Sequence, residues 1–457
     1  MKRFPTIIAL LVAIATCAQA PLPLLKISSN KRFFQTTDGK PFFWLGDTGW
    51  LLFEKCKKED VLLYLDTRGK QGFNVIQIMV LHDLGAKDAY GDPALINKNI
   101  ATPNLINQEI LGRERYDYWD HIDFVITEAE KRGIYIALVP LWGGNVKDGK
   151  ISVQQAESYA KFLATRYKPH HNIIWVNGGD IKGSDGLEVW KTIGKTLKKY
   201  DPDHLITFHP RGRYSSSDWF HKESWLDFNM FQSGHRTYAQ DTSSNEKNHF
   251  GEDNWRYINV DYKLQPVKPT MDGEPSYENI PHGLHDSLQP RWAAADLRRY
   301  AYWEAFAGGA GFTYGENSIM QFYTMGNGRG SYGANNSWKE TINAPGAGQM
   351  HYLKELLLSK NYFDRVPAQE IIKGNDQLGY SYIIAMKGKN YAMAYDYTGS
   401  NINVDMAKLG FNATKANWFN PSNGETTSIK DFAGTGIVAF DPPGSPAEGN
   451  DWVLILE

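Results

Sequence analysis

The strongest constraint on the fold is an alternation that persists to about residue 360, in which short apolar runs of strand length are separated by amphipathic stretches of helix length. Eight runs qualify: Phe42–Leu45, Val75–Val80, Ile134–Val139, Ile173–Val176, Leu205–Phe208, Phe228–Gln232, Lys268–Asp272 and Gly311–Tyr314. Between them lie helix candidates at Glu59–Lys70, Tyr116–Arg132, Ser152–Tyr167, Leu187–Tyr200 and Pro290–Phe306. In the second of these, Ile122, Val125, Ile126 and Ala129 recur at helical spacing. Parallel strands need crossover helices, so repeated units of this kind predict an α/β fold, a (β/α)₈ TIM barrel. Asp185 followed by Glu188 reads as a capping box for the helix at Leu187–Tyr200.

Helical character ends near Lys360. Beyond it Tyr380–Met386, Asn390–Asp396, Ala416–Phe419, Gly436–Phe440 and Asp451–Leu456 read as short strands, with a turn at Asn420-Pro421-Ser422-Asn423-Gly424. They predict a small antiparallel β-sandwich with an accessory or packing role. At the other end, Lys2 and Arg3 precede an apolar stretch, Ile7 to Ala15, that is too short to span a bilayer. Ala18-Gln19-Ala20 fits a signal-peptidase site; Thr16-Cys17-Ala18 is a second option, with lipidation of Cys17 as a weaker variant. The expected organisation is therefore a signal peptide over residues 1–20, a barrel over 21–361 and a β-sandwich over 362–457. Such a chain is exported by a bacterium to the periplasm, the cell surface or the medium. Cys56 is then the one remaining cysteine, so a large core must replace cross-links. No other stretch is long enough to span a membrane. A net charge of −2 without a basic run gives no support for nucleic-acid binding.

On a barrel, chemistry belongs at the carboxy-terminal ends of the strands. The fourth strand exits into Asn177-Gly178-Gly179-Asp180 and the seventh into Gly273-Glu274. Asp180 and Glu274 lie 94 residues apart, close to three strand–helix units when eight units take roughly 250 residues. A carboxyl pair facing one cleft is what glycoside hydrolysis requires. Taken singly, Asp180 could be a loop or cap carboxylate and Glu274 a surface turn. Other strand ends add Asp47, Trp50, His82, Trp142, His209, Gln232, His235 and Glu316 as candidate substrate contacts, with Asn177 bonding a hydroxyl near the reacting centre. Polar groups at every mouth position need partners, and a hydroxyl-rich ligand would supply them. Glu316 is also the rival nucleophile by position. Asp272, two residues before Glu274, shares its strand face and reads as an orienting group. The His170-His171 pair precedes a strand, at the bottom of the barrel, and reads as structural. His82, Asp83, Asp88 and Asp92 crowd one loop, but their spacing fits no metal motif, so no metal or cofactor is expected.

The segments Phe43-Trp44-Leu45-Gly46-Asp47-Thr48-Gly49-Trp50, Gly72-Phe73-Asn74-Val75-Ile76-Gln77, Trp175-Val176-Asn177-Gly178-Gly179-Asp180 and Asp272-Gly273-Glu274-Pro275 resemble glycoside hydrolase family 140 over roughly residues 25–360. These are apiosidase-like barrels active on apiose side chains of the pectin rhamnogalacturonan II. The tail, with Trp418-Phe419-Asn420-Pro421-Ser422-Asn423-Gly424, resembles the small β-domain attached to such barrels and labelled collagen-binding. The resemblance implies an aspartate acid/base at Asp180, a glutamate nucleophile at Glu274, and a retaining hydrolase whose partner is a plant cell-wall oligosaccharide or polysaccharide. Two alternatives stay open at this level: an endo-acting pectin or glucan hydrolase, and a non-catalytic glycan-binding barrel.

Overall fold

A computed structural model describes residues 21–106, 116–147, 149–326, 328–374 and 378–457. The expected signal peptide, Cys17 included, lies outside the described residues. Eight parallel strands form the barrel: β1 (Trp44–Thr48), β2 (Val75–Met79), β3 (Tyr135–Val139), β4 (Ile173–Ile181), β5 (Ile206–Pro210), β6 (Asn229–Gln232), β7 (Thr270–Asp272) and β8 (Gly311–Tyr314). Pairing runs β5-β4-β3-β2-β1-β8-β7-β6, and a two-residue strand, Tyr214–Ser215, adds antiparallel to β6. The ring closes between β5 and β6 through the Asp227 N–H to the Ile206 carbonyl (2.8 Å) and the Thr207 hydroxyl to the Phe228 carbonyl (2.7 Å). Each strand is followed by a principal helix, α1 (Lys58–Lys70), α2 (Tyr118–Glu130), α3 (Val153–Tyr167), α4 (Leu187–Tyr200), α5 (Ser217–Phe220), α6 (Trp255–Asp261), α7 (Ala294–Phe306) and α8 (Pro345–Leu358), with extra single turns at Leu52–Lys55, Gly144–Lys147 and Trp338–Thr341. The fold is the expected (β/α)₈ barrel.

Two local features depart from the sequence reading. β4 continues to Ile181, because a bulge between Gly178 and Ile181 lets it keep pairing with β5 beyond the apolar run. The capping box at α4 does not form. Gly186, at φ +85°, takes the cap position, and Asp185 offers its carbonyl to the Trp190 indole N–H (2.8 Å). Reciprocal caps do form at α2 (Asp117 with Asp120) and α3 (Ser152 with Gln155).

The floor of the barrel is plugged by three short strands, Leu25–Ile27, Phe34–Thr36 and Pro41–Phe42. The Phe34 ring meets Phe228 edge-on at 4.9 Å and Trp44 at 6.3 Å. His171 bonds the Leu22 carbonyl through Nδ1 (3.0 Å), and His170 lies against Tyr167, so both serve packing at the bottom.

The carboxy-terminal part is antiparallel. Its strands are β9 (Val366–Pro367), β10 (Ile384–Lys387), β11 (Ala392–Asp396), β12 (Ile402–Asp405), β13 (Ala416–Phe419), β14 (Thr426–Ile429), β15 (Ile437–Phe440) and β16 (Trp452–Leu456). Six pair in the order β9-β10-β11-β16-β13-β14, facing the two-stranded sheet β12-β15. Both faces of the larger sheet's central strands, β11 and β16, are buried, and the two-residue strand period divides the work. Met393, Tyr395, Val453 and Ile455 join the barrel core, whereas Ala392, Ala394, Leu454 and Leu456 pack with Ile402, Val404 and Phe440.

The helix α7 is the shared wall. Tyr302 stacks on Tyr395 (4.9 Å), and Arg298 makes a two-pronged ion pair with Asp451 (2.9 and 2.6 Å). Arg365, in the connection, is 2% exposed and donates to the carbonyls of Ala305 (2.8 Å) and Gly309 (2.6 Å), satisfying the end of α7. Its guanidinium also lies 4.0 Å from the centre of the Phe33 ring, which ties the plug to the same point. No helix among the described residues is long and apolar enough to cross a membrane. Replacing Arg365 with Met should strand two buried carbonyls and cost about 3 kcal/mol. A urea titration followed by tryptophan fluorescence should show the midpoint falling, and an unchanged midpoint would show that the capping bonds contribute nothing.

Candidate active site

The end of β4 is shaped by backbone that most residues avoid. Gly178 (φ +87°), Gly179 (φ +117°) and Asp180 (φ +45°) are consecutive left-handed positions. A Cβ on Gly178 would lie 2.7 Å from the His209 carbonyl, and one on Gly179 would lie 2.4 Å from the Trp142 ring. The two glycines are therefore sterically required, and the turn they make sends the Asp180 side chain into the barrel mouth. The sequence signal was the Gly-Gly pair; its reason is this close approach.

Glu274 follows β7 in a similarly crowded setting. The Gly273 N–H bonds the Phe231 carbonyl (2.9 Å), and Gln77 reaches across the barrel to the Gly273 carbonyl (2.7 Å). The Glu274 N–H donates to Asp272 Oδ1 (3.2 Å), so the buried Asp272 does orient its neighbour; burial pushes its own carboxyl up to about 7.

Two imidazoles hold the Glu274 carboxylate. His235 Nε2 lies 3.0 Å from Oε1, and His209 Nε2 lies 3.3 Å from Oε2. The Asp180 N–H donates to His209 Nδ1 (3.3 Å), which leaves the hydrogen on Nε2, facing Glu274. One ring thus connects the backbone of Asp180 to the carboxylate of Glu274. Burial alone would raise Glu274, but the His235 hydrogen bond and the His209 N–H directed at its other oxygen draw it below the usual carboxylate range. Asp180 moves the other way, to about 6: the residue itself stays open to the cavity, but the surrounding walls take water away from its carboxyl, and the Glu274 charge adds to that.

Both carboxyls line a cavity of about 390 Å³, together with Trp50, His82, Trp142, Gln232 and His235. Trp50 and Trp142 approach each other at 5.5 Å, and both flank the His209 ring, which is fully buried behind the carboxyls. Aromatic faces beside acid groups suit the C–H faces and hydroxyls of a sugar.

Four nominated residues do not line the cavity: His209 is buried behind it, and Asp47, Asn177 and Glu316 are engaged elsewhere. Asp47 accepts from the Tyr64 hydroxyl (2.6 Å) and Arg68 Nε (2.5 Å), and so pins α1 to β1. Asn177 donates to the Trp190 carbonyl (2.8 Å) on α4. Both sit on the strand face that looks outward to the helices. Glu316, the rival nucleophile, accepts from the Ser318 and Ile319 N–H groups (2.9 Å each) and the Thr341 hydroxyl (2.8 Å), which makes it a turn cap. Conversely, the sequence reading passed over Tyr277, Arg236, Glu246 and Tyr332, which also line the cavity. Tyr277 accepts the Trp50 indole N–H (3.0 Å) and sits edge-on to His235 (4.7 Å). Its position three residues after Glu274 was the available signal. The others come from loops whose convergence no local pattern encodes.

Residues 28–364 match the family described as "Apiosidase-like, catalytic domain", and residues 366–457 match "Putative collagen-binding domain of a collagenase". Among solved structures, the chain is similar to one titled "Glycoside hydrolase", at 43% identity and TM-score 0.90, covering 95% of this chain and 96% of that one. It is also similar to a glycoside hydrolase family 5 protein from Bacteroides vulgatus, at 40% identity and TM-score 0.90, over 95% and 93% of the two chains. A structure from the same organism titled as that of a "putative glycoside hydrolase", at 16% identity and TM-score 0.63 over 95% and 82%, shares the fold. No curated protein matches the chain.

The carboxyl coupling can be measured directly. Glu274→Gln removes the negative charge that opposes ionisation of Asp180, so the Asp180 pKa should fall from about 6. Carbon-13 NMR of labelled carboxyls reads the titration, and an unchanged or higher value would show that the two groups do not sense each other.

Proposed function

Because the chain belongs to the apiosidase-like family of glycoside hydrolases, we propose that it is a retaining hydrolase that releases apiose from side chains of the pectin rhamnogalacturonan II. The observation that carries the reading is the convergence of two carboxyls on one cavity, Glu274 held by His235 and faced by His209, and Asp180 without such donors, an arrangement that displaces their acidities in opposite directions. Environments that push two acids apart assign the proton donor and the ionised partner. Substrate choice follows from the resemblance of the strand-end motifs to the family. Export rests on the basic and apolar amino-terminal segment, which would deliver the enzyme to the polymer.

In this mechanism a sugar packs against the wall that Trp50 and Trp142 form together. A Glu274 oxygen attacks the anomeric carbon while Asp180 gives its proton to the departing glycosidic oxygen. The C–O bond to the leaving group breaks, and a glycosyl ester forms on Glu274. Asp180, now ionised, takes a proton from water, whose oxygen attacks the anomeric carbon and frees Glu274. His209 and His235 stabilise the Glu274 carboxylate before attack and again as it departs. Tyr277 sits where it can orient the same group.

Incubation with rhamnogalacturonan II, followed by identification of the released sugar and its first-formed anomer by proton NMR, tests the reading. Apiose with retained configuration is expected. Another sugar would correct the specificity, internal cleavage would favour an endo-acting pectin or glucan hydrolase, and inversion would remove the covalent step. Glu274→Gln should lower kcat by about 10⁴-fold or more while the thermal transition persists. For Asp180→Ala, an aryl glycoside with a good leaving group should lose far less than the natural substrate, and equal losses would argue against an acid role. Because Asp180 must carry a proton, kcat/KM should decline as pH rises through about 6. The acid limb should lie below the ordinary glutamate range, since Glu274 is lowered.

A further inference from the structure

The loop between β6 and α6 carries His235 to Glu274 and supplies Arg236 and Glu246 to the cavity wall. Apart from a single turn at Tyr238–Gln240 it has no regular structure, so its placement depends on anchors. One anchor is Glu252, which is fully buried at the end of the loop, while Lys247 and Asn248 hold the middle of the loop to Asp218 and the Arg213 carbonyl. Three donors converge on the Glu252 carboxylate. Arg299 of α7 gives Nη2 to Oε2 (2.6 Å), the Tyr238 N–H reaches Oε1 (3.3 Å), and the Tyr380 hydroxyl lies 2.8 Å from Oε1 and 3.0 Å from Oε2.

Tyr380 comes from the segment that opens the carboxy-terminal domain, and Tyr238 lies three residues beyond His235. Gly251 completes the seat, since a Cβ there would fall 2.1 Å from the Tyr238 ring. Arg299 is itself held by the faces of Tyr300, Trp303, Tyr380 and Tyr397, at 4.5 to 5.1 Å. Two of these rings belong to the barrel and two to the carboxy-terminal domain.

We infer that Tyr380 is a positioning residue of the active site, acting from the second domain through Glu252 and Tyr238 to fix the loop that brings His235 to Glu274. The inference rests on the reading that Glu274 is the reacting carboxylate. The Arg299–Glu252 pair would persist without Tyr380, because a buried cation keeps its counter-ion. What the hydroxyl adds is a fixed orientation of that carboxylate, and with it the position of the Tyr238 backbone. The neighbouring pair Arg298–Asp451 spans the same interface without touching the loop, so it provides an internal control.

Tyr380→Phe removes the hydroxyl and keeps the ring over Arg299. Amide hydrogen exchange across residues 233–254 should speed up about fivefold or more. On rhamnogalacturonan II, kcat should fall about tenfold with KM within about threefold, the pattern of a displaced catalytic group. Glu252→Gln should reproduce the loss in kcat. Asp451→Asn should lower Tm at least as far as Tyr380→Phe does, yet leave loop exchange and kcat at wild-type values. Wild-type exchange and kcat in Tyr380→Phe, or changes that simply follow Tm in both variants, would overturn the inference. Full activity in Glu274→Gln would instead overturn the catalytic reading, and if this pectin is not cleaved at all, loop exchange alone decides the role of Tyr380.

Discussion

A carboxylate that must stay ionised with 9% of its residue surface in contact with water sets the terms for the upper half of this barrel. Glu274 cannot be buried there without donors, and His209 and His235 supply them. Each histidine then needs its own support. His209 is flanked by Trp50 and Trp142 and takes the Asp180 N–H, whereas His235 depends on Tyr277 and on a long loop. Asp180 inherits its raised pKa partly from the charge so stabilised. One ionised group therefore explains the histidines, the aromatic flanks and the acid beside them.

Much of the scaffold was readable from periodicity. Eight apolar runs became eight strands because parallel strands buried on both faces have to be nearly continuous in Val, Ile, Leu and Phe. The strands overlooked in the carboxy-terminal part, such as β12 and β14, are short and partly polar, with pairing set by distant partners rather than by their own residues. The misread start of α4 has a local cause. Asp185 and Glu188 have capping-box spacing, but Gly186 takes up a left-handed turn that no pattern of polar residues announces.

The cavity was legible where residue type and strand parity agreed. Trp50, His82, Trp142, Asp180, Gln232, His235 and Glu274 converge as strand ends should. Asp47 and Asn177 failed because adjacent residues on a strand face opposite ways, and a polar side chain near the end can serve the helix layer as readily as the mouth. Glu316 failed because a carboxylate past a strand end can fold back onto backbone N–H groups. Tyr332 and Glu246 were invisible, since they reach the site only through the paths of long loops.

The contact between Gly179 and Trp142 also bears on how such a site can change over generations. The volume a side chain at 179 would need is already filled by the indole, so the glycine is not free to vary while Trp142 stands. A lineage that shrank the aromatic wall to admit a bulkier sugar would still meet the left-handed backbone at 179, which keeps the glycine in place whatever stands opposite. Diversification of this barrel is therefore directional: the wall can drift while the turn beneath the acid stays fixed.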